Sequence, residues 1–165
     1  NKWHMPLIKN ISGKQIILNL MKRLIEIEIF LNNKFNIINM DIKLNNYMIE
    51  KYKNIDINNI IALDFGLTLK KSNINYNINN DYFIWPYGNN IKINIIPSYS
   101  ICINALILYL GLKNLKKKSI IKNFNYIKND IDFYDIFFSG LFLKIDIIKL
   151  KNLIDKYIKK YNITH

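Results

Sequence analysis

Asp130, Asp132 and Asp135 form the densest carboxylate group in the chain. A cation such as Mg²⁺ needs hard oxygen ligands that converge in space. Asp132 and Asp135 stand one helical turn apart, close enough to converge. A simpler expectation competes: Asp130 caps a helix, and the other two favour its positive N-terminal end. Capping requires nothing else of the fold and is preferred. The tightest basic cluster is Lys116, Lys117 and Lys118, with Lys113 and Lys122 beside it. These side chains can meet phosphates, each contact adding to a salt-dependent affinity. A solvated loop in a lysine-rich chain accounts for the same run. Lys116, Lys117 and Lys118 are the RNA-contact candidates. Tyr82, Phe83, Trp85 and Tyr87 can stack on bases if exposed, but their placement along a strand favours core packing.

Other chemistry is not assembled by these residues. His4 and His165 lie at opposite ends, and neither has a Cys or carboxylate cluster at metal-ligand spacing. No Ser or Cys has a nearby His base, so no self-contained nucleophile is expected. Gly66, Gly88, Gly111 and Gly140 are isolated and make no glycine-rich phosphate loop. Cys102 is alone, which excludes a disulfide framework within these residues. The expected catalytic and metal-ligand sets are therefore empty.

The 165 residues carry a net charge of +12, and half of them are hydrophobic, enough to bury a core. Charge of this sign points to nucleic acid. Arg23 is the only Arg, however, and Ala occurs only at Ala62 and Ala105, while Asn, Ile, Lys and Tyr dominate. These are residues with A- and T-rich codons, so base composition explains part of the lysine excess. A selected RNA surface is expected to keep Arg for bidentate phosphate contacts. Lys or Asn interrupts the apolar runs, and no bilayer span or signal peptide is expected. A soluble protein of a reducing cytosol or organelle matrix fits. The chain opens at Asn1 without Met and ends at His165 in a helical pattern without a stop signal, so it is expected to be a segment of a longer protein.

The elements that would position these groups follow from periodicity. Ser12 is a candidate cap for a helix over Lys14–Ile29, with Ile17, Leu20, Met21, Leu24 and Ile25 on one face and Asn32-Asn33 as the stop. Phe35–Lys43 reads as a strand, Asn45–Lys51 as a short helix or turn, and Ile57–Leu63 as a helix capped by Asp56. Ser72–Asp81 reads as an Asn-rich loop. A hairpin joins Tyr82–Trp85 to Ile91–Ile96, with Pro97-Ser98 closing the strand. Ile101–Leu110 reads as a buried helix ended by Gly111. Ser119–Ile121 reads as a strand and Asp130–Phe138 as a short helix. Ile145–Tyr161 is amphipathic, with Ile147, Ile148, Leu150, Leu153, Ile154, Tyr157 and Ile158 facing inward.

The order of elements from Ile42 to Leu115 resembles the central winged-helix-like domain of the phenylalanine–tRNA ligase β-subunit. The match is carried by a short strand at Ile42-Lys43-Leu44, two helices, Phe65-Gly66-Leu67, a strand running into Pro97-Ser98-Tyr99, and a helix ending Leu110-Gly111-Leu112. The resemblance implies an α+β fold with a small winged-helix-like, DNA-binding-like domain at 35–118. A helical segment at 1–34 would trail an upstream module, and 119–165 would open a downstream α+β module. It further implies a non-catalytic scaffold in an enzyme of two α- and two β-subunits that joins phenylalanine to tRNA. ATP and Mg would be used elsewhere in that enzyme, the α-subunit would hold the synthetic site, and tRNA would be a further partner. One departure matters. Where the family has Arg and an acidic helix start that binds magnesium, Ser100, Ile101, Asn104 and Ala105 stand here, so that metal site is expected to be lost. Two alternatives remain. Leu18–Ile27 and Asp130–Asp135 look like pieces of 5-enolpyruvylshikimate-3-phosphate synthase, although Met21 to Pro97 is far too long for that fold. A ribosomal or other RNA-binding protein rests on charge. The expected winged unit places Ile57–Leu63 against Ile101–Leu110 beside Ile91–Ile96.

Overall fold

In the computed structural model the described residues are 11–51, 55–62, 68–70, 77–79, 90–111 and 124–163. They fold around four α-helices: α1 (Ile11–Phe35), α2 (Ile96–Leu110), α3 (Ile131–Leu141) and α4 (Ile147–Ile163). Six short strands precede α2: β1 (Ile37–Asn39), β2 (Tyr47–Lys51), β3 (Ile55–Ala62), β4 (Thr68–Lys70), β5 (Asn77–Asn79) and β6 (Asn90–Lys92). They pair antiparallel as β1 with β4, β2 with β3 and β5 with β6, and the described residues contain no sheet wider than two strands.

The expected α+β winged-helix-like domain is not what forms: the described residues are mostly helical. The decisive segment is the helix expected over Ile57–Leu63, where the structure has β3 at Ile55–Ala62. Ile57, Ile60 and Ile61 fit helical spacing, but β-branched Ile also favours an extended chain. Eight residues are too few for periodicity to decide. The partner decides instead: β2, expected as helix or turn, pairs Tyr47 with Ala62 and Ile49 with Ile60. The predicted packing of a 57–63 helix on Ile101–Leu110 goes with that helix.

Other boundaries shift for local reasons. Helix α1 runs past Asn32-Asn33, and the Asn32 side chain donates to the Glu28 carbonyl, one turn back, at 2.8 Å. It ends before Asn36, which takes the left-handed conformation at φ 55° that Asn tolerates. The strand expected at Ile91–Ile96 stops at Lys92, a 3₁₀ turn covers Ile93–Ile95, and Pro97 lies in the first turn of α2, where its missing N–H costs nothing. Within the expected Asn-rich loop, Asn77–Asn79 pairs with Asn90–Lys92. The strand half at Tyr82–Trp85, Gly66, Gly88 and the strand at Ser119–Ile121 lie outside the described residues.

One core joins α1 through Ile17, Leu18, Met21 and Ile25, α2 through Ile101 and Leu106, α3 through Phe133, Ile136 and Phe137, and α4 through Leu150 and Ile154. Helix α1 packs on α2 and α4, and α3 packs on α2 and α4. Ile93–Leu110 is long and apolar enough to cross a membrane, with mean hydropathy 1.7, but 83% of it is buried inside the fold. It is apolar all round because neighbours surround it. Gly111, at φ 68°, ends it as expected, its N–H returning to the Ile107 and Leu108 carbonyls. Helix α4 is amphipathic as expected, but Ile148 faces out, 52% exposed.

Candidate functional site

The carboxylates of α3 become links between helices. Asp130 is the N-cap, as the simpler expectation has it, its side chain accepting from the Phe133 N–H at 3.5 Å. Its Oδ2 also accepts from Tyr109 OH of α2 at 2.7 Å and meets Lys14 Nζ of α1 at 2.8 Å. Asp132 takes Lys160 Nζ of α4 on both oxygens, at 2.9 and 2.8 Å. Asp135 accepts from Tyr157 OH of α4 at 2.5 Å. Burial, reinforced by the neighbouring aspartates, pushes the hydroxyls of Tyr109, Tyr157 and Tyr161 above the ordinary phenol range. They stay neutral donors at any ordinary pH.

Asp130 and Asp132 with their partners rim an open cleft of about 450 Å³ lined by Lys14, Tyr109, Tyr126, Asp130, Asp132 and Lys160 among others. Two lysines face two aspartates, so the cleft offers neither a concentrated positive nor a concentrated negative field. Asp130, Asp132 and Asp135 turn to different partners on α1, α2 and α4. Among the described residues no group of three or more His, Cys, Asp or Glu is arranged to hold a metal ion. A salt link elsewhere follows the same pattern: Asp155 of α4 is gripped by Lys22 of α1 at 3.0 Å and Lys151 at 2.8 Å. Burial raises its pKa, the two lysines lower it, and the lysines prevail.

Lys116, Lys117 and Lys118, with Lys113 and Lys122, lie outside the described residues, as do Tyr82, Phe83, Trp85, Tyr87, His4 and His165. Asn104 is described, and it is structural. It is buried on α2, where its amide donates to the Ile42 carbonyl at 2.9 Å and the Ser100 carbonyl at 2.7 Å. Its Oδ1 accepts from the Leu44 N–H at 3.1 Å. One side chain thus pins the Ile42–Leu44 segment to α2. Asn104→Asp, which would restore the carboxylate of the resembled family, turns a donor into an oxygen facing two carbonyls. We expect a loss of roughly 3 kcal/mol in chemical denaturation at pH 7, the scale of a buried polar group left facing its own kind. An unchanged midpoint would show that Asn104 does not hold the loop.

Periodicity alone misses Glu28. It continues the stripe Ile17–Met21–Leu24–Glu28–Leu31, which is the available signal, and it is 1% exposed. Its Oε1 accepts from the Asn39 N–H at 3.1 Å, tying β1 to α1, and no hydrogen bond reaches the buried Oε2 in good geometry. Burial pushes its pKa up to about 7; the Asn39 N–H and the Asn32 side chain oppose this and lose. Tyr47, whose hydroxyl is raised by burial and by the Glu28 charge, packs in the same core.

Comparison with known protein families, curated proteins and solved structures finds no match to this chain.

Proposed function

We propose that this chain is a non-catalytic structural module, a helical scaffold within a larger assembly. The observation that carries this is the fate of Asp130, Asp132 and Asp135: each carboxylate is held by Lys or Tyr from another helix. A reaction centre needs groups aimed at a common vacant point; these are aimed at one another's helices. The parent offered by the sequence resemblance is the β-subunit of a phenylalanine–tRNA ligase, charging tRNA with phenylalanine through ATP and Mg held elsewhere. What supports it now is Pro97-Ser98-Tyr99 and the helix closing at Leu110-Gly111, since the strand and helix order that carried the rest is not the order found.

The scaffold reading is tested with Asp135→Asn. As a link to Tyr157 it should cost roughly 1.5–3 kcal/mol, the range of a hydrogen bond to a charged group. A carboxylate waiting for a cation would instead gain stability on removal, and that result would end the scaffold reading. The parent is tested separately, by co-expression with a tagged bacterial-type phenylalanine–tRNA ligase α-subunit. Co-purification is expected, together with no phenylalanine-dependent ATP–pyrophosphate exchange by the chain alone. Exchange by the chain alone would overturn its non-catalytic role; failure to associate would remove the ligase parent only.

A further inference from the structure

Helix α4 carries Lys149, Lys151, Lys156, Lys159 and Lys160 against one acid, Asp155. At about 100° per residue, Lys149, Lys156, Lys159 and Lys160 fall within one arc of roughly 100°. That arc does not overlap the side of the helix carrying Leu150, Ile154 and Tyr157, which are buried in the core. All four lysines are exposed, and exposed Asn152 lies between them. Asp155 falls outside the arc and is already occupied by Lys22 and Lys151. Lys160 is shared with Asp132, while the Lys156 ammonium sits 5.1 Å from the centre of the Tyr157 ring. The outward face is therefore a lysine stripe about 16 Å long, with no carboxylate among its side chains.

We propose that this face of α4 lies along the phosphodiester backbone of a nucleic acid, with Lys149, Lys156 and Lys159 as the phosphate contacts. The placement goes beyond bulk charge, because net charge alone would scatter lysines and acids around the exposed surface. A stripe of this length spans several phosphates, which follow one another at about 3.4 Å along a strand axis. Lys presents a point charge without the Arg fork, so contacts of this kind position a backbone and read no sequence. An anionic membrane fits less well. Amphipathic helices hold a bilayer through their apolar face, and the apolar face of α4 is consumed by α1 and α3. The inference is independent of the ligase parent.

The test is fluorescence anisotropy of the chain with a labelled 20-nucleotide single-stranded RNA and with duplex DNA of equal length, across a salt series. The triple variant Lys149→Gln, Lys156→Gln, Lys159→Gln should weaken binding tenfold or more at low salt. It should also reduce the slope of log K against log salt by about 2 to 3, roughly 0.7 to 0.9 for each phosphate contact. Single-strand and duplex arms tell which backbone is preferred, and loss of affinity and slope in either supports the stripe. A control triple at other exposed lysines, Lys70→Gln, Lys92→Gln, Lys128→Gln, should leave the slope unchanged. Equal loss in the control means diffuse charge and overturns the assignment. So does absence of binding, or binding to vesicles of anionic lipid as tight as to RNA. Surface substitutions of this kind keep the fold within about 0.5 kcal/mol, and thermal melts of both triples verify it.

Discussion

Glu28→Gln should abolish a stability loss that the wild-type protein suffers as pH rises from 4.5 to 8. The folded-state pKa of Glu28 is raised to about 7 from 4.5. Between those values the folded protein holds a proton that the unfolded chain has released. Stability therefore falls with pH across that window, and the full penalty is present above pH 7. A shift of this size corresponds to about 3 kcal/mol, at 1.36 kcal/mol per pKa unit. The measurement is urea unfolding at half-unit pH steps for both proteins. The difference between the two curves should grow by about 3 kcal/mol from low to high pH, whatever constant offset the amide introduces. Parallel curves would mean that the carboxyl finds a partner when charged. Among the described residues the groups facing it are few. The Asn39 N–H and the Asn32 side chain favour the charged form. Tyr47 is a neutral phenol there, and Asp41, which acts on Tyr47, has Lys43 Nζ at 3.6 Å. Among the described residues no cation answers Glu28 directly, and its charge is opposed chiefly by burial.

Gly140→Ala is the substitution expected to disturb helix packing most. A Cβ on Gly140 of α3 would overlap Cys102 Sγ and lie 3.0 Å from Cys102 Cβ on α2. Elsewhere in a helix Gly→Ala gains about 1 kcal/mol from propensity. Here the steric cost should exceed that gain, leaving a net loss on the order of 3 kcal/mol as α2 and α3 are forced apart. Cys102 is fully buried, and burial pushes its thiol above the ordinary range, so it acts as a small apolar group at the crossing. Cys102→Ala alone should cost about 1 kcal/mol. The double variant should lose clearly less than the sum of the two, with a coupling of at least about 1 kcal/mol. Strict additivity would mean that the clash is relieved by helix movement rather than by the sulfur.

The two sites differ in how visible they were beforehand. Gly140 is one isolated glycine among several, and nothing near it in the chain names Cys102, which lies 38 positions away. Its close approach exists only once α3 crosses α2. Glu28 was within reach, since it occupies a slot in the apolar stripe of α1. Asn104 lay between: the resemblance singled it out as standing where a carboxylate was expected, but its three partners come from Ile42, Leu44 and Ser100.

Local sequence determined α1, the buried α2, the short α3 with Asp130 at its cap, and the amphipathic α4. Helices α1 and α4 have enough residues for a 3.6-residue pattern to outweigh accident, α2 is marked by an unbroken apolar run that Gly111 ends, and α3 by its capping Asp130. The sequence alone likewise determined the lysine stripe of α4, because residues spaced along a single helix must share its faces. Tertiary structure decided the rest. Short segments between Ile37 and Lys92 have too few residues for a period, and Ile serves strand and helix alike, so pairing between β2 and β3 chose the extended state. It also decided that Asp130, Asp132 and Asp135 are cross-links, since a carboxylate takes its role from whichever donors other helices bring to it.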